Sequence, residues 1–210
     1  MTRTLPLVLT ALTLVAGNLA YSAEEPMPPT TIAFDDADIG HPPKGFTTAL
    51  TGGGGPVSWL VQEDASAPSG NWVLVQTSTD TTGARFPLCI YDALSFADGT
   101  LRVKFKPVSG TLDRAAGLVW RYQNPATYYL VRANALEGNV VLYKVENGKR
   151  SDLKPVGSGF LTYGKKATVE TGRWQTLAVD VRGPKFAVSL NGGHLFDIED
   201  STFSAPGKVG

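Results

Sequence analysis

The sequence predicts an all-β fold in which two antiparallel sheets form a sandwich. Short runs of β-branched and aromatic residues alternate with Gly, Pro, Asn and Asp at intervals of about ten residues. After the N-terminal leader, no stretch carries an apolar stripe at helical spacing. The predicted strands cover residues 32–34, 46–51, 58–63, 72–77, 86–91, 101–108, 116–123, 128–134, 140–146, 174–182, 185–190 and 195–199.

Turn residues between these runs indicate antiparallel pairing. Asn147-Gly148 and Asn191-Gly192 supply the positive φ that a tight hairpin needs. Glu137-Gly138-Asn139 and residues 182–185 close two further turns between neighbouring strands. Strands of this number, joined by such turns, predict a two-sheet sandwich.

The N-terminal residues have the layout of a secretory signal peptide. Basic Arg3 precedes an apolar run over 5–16 and a small-residue segment at 20–23. The apolar run is shorter than the ~20 residues that a membrane-spanning helix needs. We therefore expect residues 1–23 to be removed as a signal peptide and residues 24–31 to form a linker. Residues 32–210 should form an exported domain that is periplasmic, cell-surface or extracellular. An N-terminal helix packed on the domain is the alternative.

Charge and cysteine content limit the function further. Lys and Arg number 19, as do Asp and Glu, and loss of Arg3 with the leader leaves one acidic residue in excess. This balance argues against a basic surface for nucleic acid. Cys89 is the only cysteine, so no intramolecular disulfide can form, and we expect its thiol to be buried as a small apolar group.

Alternation along the strands predicts which side chains face outward. Apolar residues occupy every second position in the strands at 174–182 and 185–190, and these rows should point between the sheets. In the strands at 116–123 and 128–134, one set of alternate residues is apolar, and the other set is mixed and polar. We expect an outward row that combines hydrogen-bonding groups with an aromatic ring, the mixture that binds sugars. Its members are Arg121, Gln123, Tyr128, Arg132 and Asn134.

Several segments carry a family resemblance. They are the central run from Ala116 to Leu153, the opening Phe34-Asp35-Asp36, the run over 99–107, the strand that begins at Trp174, and the closing run over 195–203. Over residues 32–210 the chain resembles bacterial exported domains of the concanavalin A-like lectin/glucanase superfamily. These are laminin-G-like jelly rolls akin to family-16 glycoside hydrolases and 3-keto-disaccharide hydrolases. The resemblance implies the fold more specifically than the activity, because this scaffold hosts lectins, hydrolases and adhesive modules.

The resemblance also implies that the domain lacks its final strand. Members of this subgroup continue past a segment like Gly207–Gly210 into one more strand, which returns beside the N-terminal strand. We therefore expect a C-terminally truncated jelly roll in which the strand at 32–34 lacks a partner.

Two acids are candidates for glycoside cleavage. Asp197 and Glu199 are two positions apart on a strand, so both point to one side at about the spacing that two catalytic carboxyls require. The Glu-x-Asp-x-Glu run of family-16 enzymes is absent. A solvated strand face, opposite Phe196 and Ile198, is the simpler interpretation.

A structural calcium ion is the one cofactor for which the sequence offers ligands. Asp35, Asp36 and Asp38 cluster near the first predicted strand, and carboxylate oxygens suit calcium. An EF-hand is excluded, because Thr47 stands where its bidentate Glu would be required. A solvated turn is the alternative, and no cofactor is expected to be required.

Three functions remain open on these grounds. The first is an exported carbohydrate-binding domain that holds a saccharide or polysaccharide on the concave face of one sheet. The second is a glycoside or 3-keto-disaccharide hydrolase of the same fold. The third is a laminin-G-like adhesion or scaffold module with a cell-surface protein partner.

Overall fold

Short strands and one 3-10 turn make up the regular structure of residues 29–210, which the computed structural model describes. The predicted signal peptide and most of the predicted linker lie outside these residues. The 3-10 turn covers Asp36–Asp38. The strands are β1 (Phe46–Gly52), β2 (Trp59–Glu63), β3 (Trp72–Gln76), β4 (Arg85–Phe96), β5 (Gly99–Phe105), β6 (Ala115–Asn124), β7 (Thr127–Asn134), β8 (Asn139–Glu146), β9 (Lys149–Asp152), β10 (Lys165–Lys166), β11 (Gln175–Arg182), β12 (Lys185–Leu190), β13 (Gly193–Glu199) and β14 (Gly207–Val209).

Two antiparallel sheets form the sandwich, as predicted. The larger has the order β1-β4-β14-β6-β7-β8-β10, with β9 also paired to β8, and the smaller has the order β13-β12-β11-β5. Strands β2 and β3 form a separate hairpin. Residues 32–34 form no strand, so the prediction of an edge strand there is wrong. Among the described helices, none is long and apolar enough to cross a membrane.

The main core lies between the two sheets. The predicted rows of β11 and β12 are buried, with Val179, Val188 and Phe186 almost completely inaccessible. Trp120 of β6 contacts Phe186 across the sandwich, with ring centroids 5.4 Å apart. Each such side chain stabilises the fold by about 1.5–3 kcal/mol through burial. Alternation alone therefore places the core correctly in these strands.

The other face of the larger sheet is concave at its centre. Leu88 of β4 and Val145 of β8 belong to one apolar cluster with Tyr128, although three strands separate β4 from β8. The larger sheet therefore curls, and its two edges approach each other. Arg150 of β9 spans the remaining gap, with its guanidinium carbon 3.8 Å from the centroid of Phe86.

Two hairpins have the turn chemistry that the sequence predicts. Asn147 and Gly148, between β8 and β9, have φ values of 52° and 76°, and Asn191 and Gly192, between β12 and β13, have 51° and 81°. Two successive positive φ values match the right-handed twist of the paired strands. Strand β9 was not predicted, because its four polar residues carry no alternating apolar pattern.

Candidate functional site

The predicted ligand-binding residues of β7 share one face but are buried. Tyr128, Arg132 and Asn134 all point to the concave side, since their partners in β8 are Val145, Val141 and Asn139. Their exposed fractions are 0%, 8% and 0% respectively. The prediction that they form an open surface is therefore wrong. The curl of the sheet covers Tyr128, and loops cover the other two residues.

Tyr128 is part of the apolar cluster between the curled ends of the sheet. Its hydroxyl donates to Thr51 Oγ1 at 2.8 Å, and burial raises the pKa of this phenol above its usual range. Tyr128 therefore supports the fold at the closed end of the concave face.

Arg121 and Gln123 do not lie in the row that alternation predicts. The register of β6 against β7 shifts between Trp120 and Asn124, and Arg121 has a φ of 49°. This β-bulge reverses the parity of the strand. Arg121 is buried on the side of the main core, whereas Gln123 is exposed and donates to Pro206 O at 2.8 Å.

A polar cluster instead surrounds Arg132 near the end of β7 and the start of β8, beneath the covering loops. Arg132 donates to Asp113 Oδ1 at 3.2 Å and to Glu137 Oε2 at 2.6 Å. Asn134 donates to the same Asp113 oxygen at 2.6 Å, and Asn139 donates to the same Glu137 oxygen at 3.0 Å. These five residues and Tyr163 together form the Arg132 cluster.

Strand register explains why these residues meet. Asn134 ends β7 and is paired with Asn139, which begins β8. Glu137 lies in the turn between these two residues and accepts from Asn139. Asn134 is also paired with Ala115, the first residue of β6, which brings Asp113 of the preceding loop to the same end of the sheet. The sequence does not indicate Asp113, Glu137, Asn139 or Tyr163 as site residues, because they lie in loops, in a turn and at a strand end.

Two buried polar atoms of the Arg132 cluster have no hydrogen-bond partner in the described part of the chain. They are Arg132 Nε, a donor, and Asn139 Oδ1, an acceptor. The Asn139 amide is oriented so that its NH₂ group reaches the Glu137 carboxylate, which can only accept. Leaving each such atom unpaired costs about 1–3 kcal/mol. Both atoms are closed to solvent, so a ligand hydroxyl can pair with them only if a covering side chain moves aside.

Tyr163 connects the cluster to Tyr143 of β8. The two phenol oxygens are 2.5 Å apart, and Arg132 donates to the Tyr163 hydroxyl at 3.4 Å. Burial, and then the hydrogen bond with Tyr163, raise the pKa of Tyr143 well above its usual range. Tyr143 therefore stays a neutral phenol at neutral pH.

Exposed apolar residues flank the cluster in three loops. Leu112 precedes Asp113, Leu136 precedes Glu137, and Phe160 and Leu161 lie just before Tyr163. All four are exposed, with 86% of Phe160 and 89% of Leu161 accessible. Lys154 donates to Thr162 O at 2.8 Å and so fixes the base of the third loop. These four residues are called the apolar rim.

The predicted catalytic acids lie elsewhere. Asp197 and Glu199 of β13 are exposed on the outer face of the smaller sheet, whereas Phe196 and Ile198 are buried. Asp197 Oδ1 is 3.1 Å from His194 Nε2. The structure therefore separates this pair from the Arg132 cluster, which is on the other sheet, and a catalytic role for it stays a prediction.

The predicted calcium ligands lie at the 3-10 turn. Asp35 accepts from Ala37 N at 2.9 Å, and Asp38 accepts from Lys44 N at 3.1 Å. Residues 29–210 contain no group of three or more His, Cys, Asp or Glu side chains arranged to hold a metal ion. The hydrogen bonds account for Asp35 and Asp38 as turn residues, and calcium binding stays a prediction.

Comparison with solved structures confirms the concanavalin A-like jelly roll. The carbohydrate-binding module CBM66 from Bacillus subtilis is 20% identical, with a TM-score of 0.55 over 79% of this chain and 86% of that chain. A Caenorhabditis elegans galectin is 21% identical, with a TM-score of 0.40 over 54% of this chain and 74% of that chain. A Bacillus licheniformis β-glucanase is 14% identical, with a TM-score of 0.42 over 82% and 80%.

Family membership is shown by sequence. Comparison with curated proteins gives no match. Residues 41–210 match the 3-keto-alpha-glucoside-1,2-lyase-like domain, and this range includes both sheets and the whole Arg132 cluster. The chain therefore belongs to the family of 3-keto-alpha-glucoside-1,2-lyase-like domains.

Proposed function

We propose that the protein is an exported domain that binds a saccharide at the Arg132 cluster. One observation carries this proposal: a buried donor, Arg132 Nε, and a buried acceptor, Asn139 Oδ1, lack partners in the same cluster. Seven buried side-chain atoms of residues 29–210 lack a partner, and only this cluster combines an unpaired donor with an unpaired acceptor, which favours a missing ligand. Membership of a family named for a glucoside supports a sugar.

The remaining groups of the cluster suit the uncharged hydroxyl groups of a ligand. Arg132 is held between the carboxylates of Asp113 and Glu137, so its charge is already compensated. Both carboxylates are partly exposed and can accept from further hydroxyls. The apolar rim can contact the C–H faces of a sugar ring or an apolar group attached to it.

The test is saccharide binding by Glu137→Gln. This change keeps the size of the side chain but weakens the acceptor for Arg132, Asn139 and the ligand. We expect calorimetric titration across a glycan panel to find a saccharide that binds the wild-type protein. Glu137→Gln should bind it at least tenfold more weakly, since a hydrogen bond to a charged group is worth about 1.5–3 kcal/mol.

Glu63→Gln is the matched control, because Glu63 is exposed at the end of β2. It should bind like the wild type. Tyr163→Phe removes a single hydroxyl from a half-exposed side chain and serves if Glu137→Gln unfolds. Equal binding by the wild type, Glu137→Gln and Tyr163→Phe would contradict the proposal, as would absence of binding across the panel.

Elimination from a 3-keto glucoside is a second candidate function, favoured by the family to which the chain belongs. The carbonyl at C3 of such a sugar acidifies the hydrogen on C2. A base that takes this proton forms the C1–C2 double bond, the C1–O bond breaks, and the leaving oxygen takes up a proton. Glu137 is the carboxylate that we assign as base, and Tyr163 is the assigned proton donor.

The elimination product is a conjugated enone that absorbs in the ultraviolet. Incubation with a methyl 3-keto-α-glucoside should therefore raise the absorbance for the wild type and for Glu63→Gln, but not for Glu137→Gln. No change with the wild-type protein would contradict this second candidate and leave the binding proposal in place.

A further inference from the structure

Arg150 carries a charge that the described protein does not use. Its guanidinium carbon lies 3.8 Å from the ring centroid of Phe86 and 4.4 Å from that of Tyr143. Among residues 29–210, Arg150 makes no side-chain hydrogen bond and no ion pair. Arg121 makes several hydrogen bonds and one ion pair, and Arg132 makes several hydrogen bonds and two ion pairs. The two rings hold the planar group in place but leave its N–H donors unpaired.

The acids next to Arg150 are already engaged. Asp152, two positions along β9, accepts from Lys154 Nζ at 2.6 Å. Glu146, at the end of the paired strand, is 3.9 Å from Lys144 Nζ. No carboxylate therefore neutralises Arg150 within the described chain. An arginine held on aromatic rings with its donors free is arranged to receive a carboxylate or a similar planar or tetrahedral anion.

Tyr143 places Arg150 beside the proposed saccharide site. The same Tyr143 ring lies 5.6 Å from the guanidinium carbon of Arg132. Tyr143 also shares a hydrogen bond with Tyr163 of the Arg132 cluster. Strand register confirms that these groups share one face, because Arg150 is paired with Val145, and Val145 is paired with Tyr128.

We propose that the ligand is an acidic saccharide whose carboxylate or sulfate group pairs with Arg150 while its hydroxyls bind the Arg132 cluster. This proposal rests on the proposed saccharide-binding function and names the class of sugar. The two subsites differ in charge, because two carboxylates compensate Arg132 and none compensates Arg150. A neutral sugar would leave the charge of Arg150 unmatched.

Uronate oligosaccharides and their methyl esters test the proposal on the unmodified protein. Trisaccharides of galacturonate, glucuronate and mannuronate are titrated calorimetrically, each beside its own methyl ester, which lacks the negative charge and adds one methyl group to each carboxyl. Sulfated and unsulfated galactose trisaccharides form the second arm and distinguish sulfate from carboxylate. We expect at least tenfold tighter binding of one acidic form, and this preference should shrink as salt is added.

Arg150→Gln tests whether that preference comes from Arg150. The variant should lose the preference for the acidic form while its affinity for the neutral form stays within twofold of the wild type. Lys149→Gln is the matched control, since Lys149 is the preceding, exposed residue of the same strand. It should keep the preference. Arg150→Lys keeps the charge but loses the planar guanidinium group with its several N–H donors. Its preference for the acidic form should therefore be intermediate.

Each outcome separates this inference from the proposed function. Equal affinity for acids and esters, together with loss of binding in Glu137→Gln, would overturn the role of Arg150 and leave saccharide binding intact. A preference that survives Arg150→Gln would also overturn it. Equal weakening of acidic and neutral ligands in Arg150→Gln would show that Arg150 only supports the fold, and failure of every saccharide to bind would overturn both proposals.

Discussion

Trp120 and Arg121, consecutive residues of β6, both contact the ring of Phe186 in the opposite sheet. The ring centroids of Trp120 and Phe186 are 5.4 Å apart, and the guanidinium carbon of Arg121 is 5.7 Å from the same ring. Neighbours in a regular strand point to opposite faces. The bulge at Arg121 therefore turns a cation into the main core, where backbone carbonyls of three other segments accept from it. These carbonyls belong to Ala97, Gly183 and Phe203.

Arg121→Gln should destabilise the fold strongly. Only 3% of Arg121 is exposed, and its loss leaves three partly buried carbonyl groups without this donor. We expect the free energy of unfolding in urea to fall by about 3 kcal/mol. Arg182→Gln, which removes an exposed arginine paired with Asp180, should lower it by less than about 1 kcal/mol. Similar losses in the two variants would contradict a structural role for Arg121.

Truncation of the apolar rim should weaken ligand binding without affecting stability. Phe160 is almost fully exposed, so Phe160→Ala removes no buried contact. We expect the midpoint of thermal unfolding to change by no more than 1–2 °C, about the effect of a neutral surface substitution. Affinity for a saccharide found in the glycan panel should fall severalfold. Unchanged affinity would remove Phe160 from the site.

Asp64 should make the fold sensitive to acid. The hydrogen bond from Lys106, followed by those from Ser66, lowers the pKa of Asp64 from 3.8 to about 2. Because the pKa is lower in the folded state, the ionised carboxylate stabilises the fold above about pH 4, and this contribution is lost as the pH falls toward 2.

Asp64→Asn removes that contribution at every pH. The variant should therefore unfold at a lower temperature than the wild type at pH 7, and the difference should shrink between pH 4 and pH 2. Thermal unfolding followed by circular dichroism measures both curves. A difference that stays constant over this range would show that the Lys106 contact does not lower the pKa of Asp64.

Cys89 should be inert in the native protein. It is buried beside β1, and burial raises the pKa of its thiol from 9.0 to about 12. The nucleophilic thiolate is therefore scarce at pH 8. A chromogenic disulfide reagent should react slowly with the native protein and rapidly in urea. Rapid reaction of the native protein would show that the β1–β4 edge opens.

Much of the fold follows from alternation and turn residues. In Leu177, Val179 and Val181 every second residue is apolar, and these side chains are completely buried. Asn147-Gly148 and Asn191-Gly192 form the predicted tight turns. These signals are local, since each depends only on residues within one strand or one hairpin. The two-sheet sandwich was predictable for that reason.

The site was only partly predictable, because it depends on contacts between distant segments. Arg132 and Asn134 were correctly placed on one face, but nothing local to β7 indicates that Asp113 and Tyr163 cover Arg132. The bulge at Arg121 likewise has no sequence signal, since no glycine occupies the position of positive φ. Phe160 and Leu161 lie close to Gly159 and are exposed, and this apolar pair was the available sequence sign of the loop that we propose to contact the ligand.

The central claim is that a saccharide pairs with the two unpartnered atoms of the Arg132 cluster. Nitrogen-15 NMR of the arginine side chains reports on the Arg132 Nε–H group directly, while a saccharide found in the panel is titrated. We predict that its resonance shifts in proportion to the bound fraction and exchanges more slowly with solvent, while those of Arg102 and Arg182 on the smaller sheet stay in place. An unchanged Arg132 resonance at saturation, or shifts confined to the smaller sheet, would contradict the account.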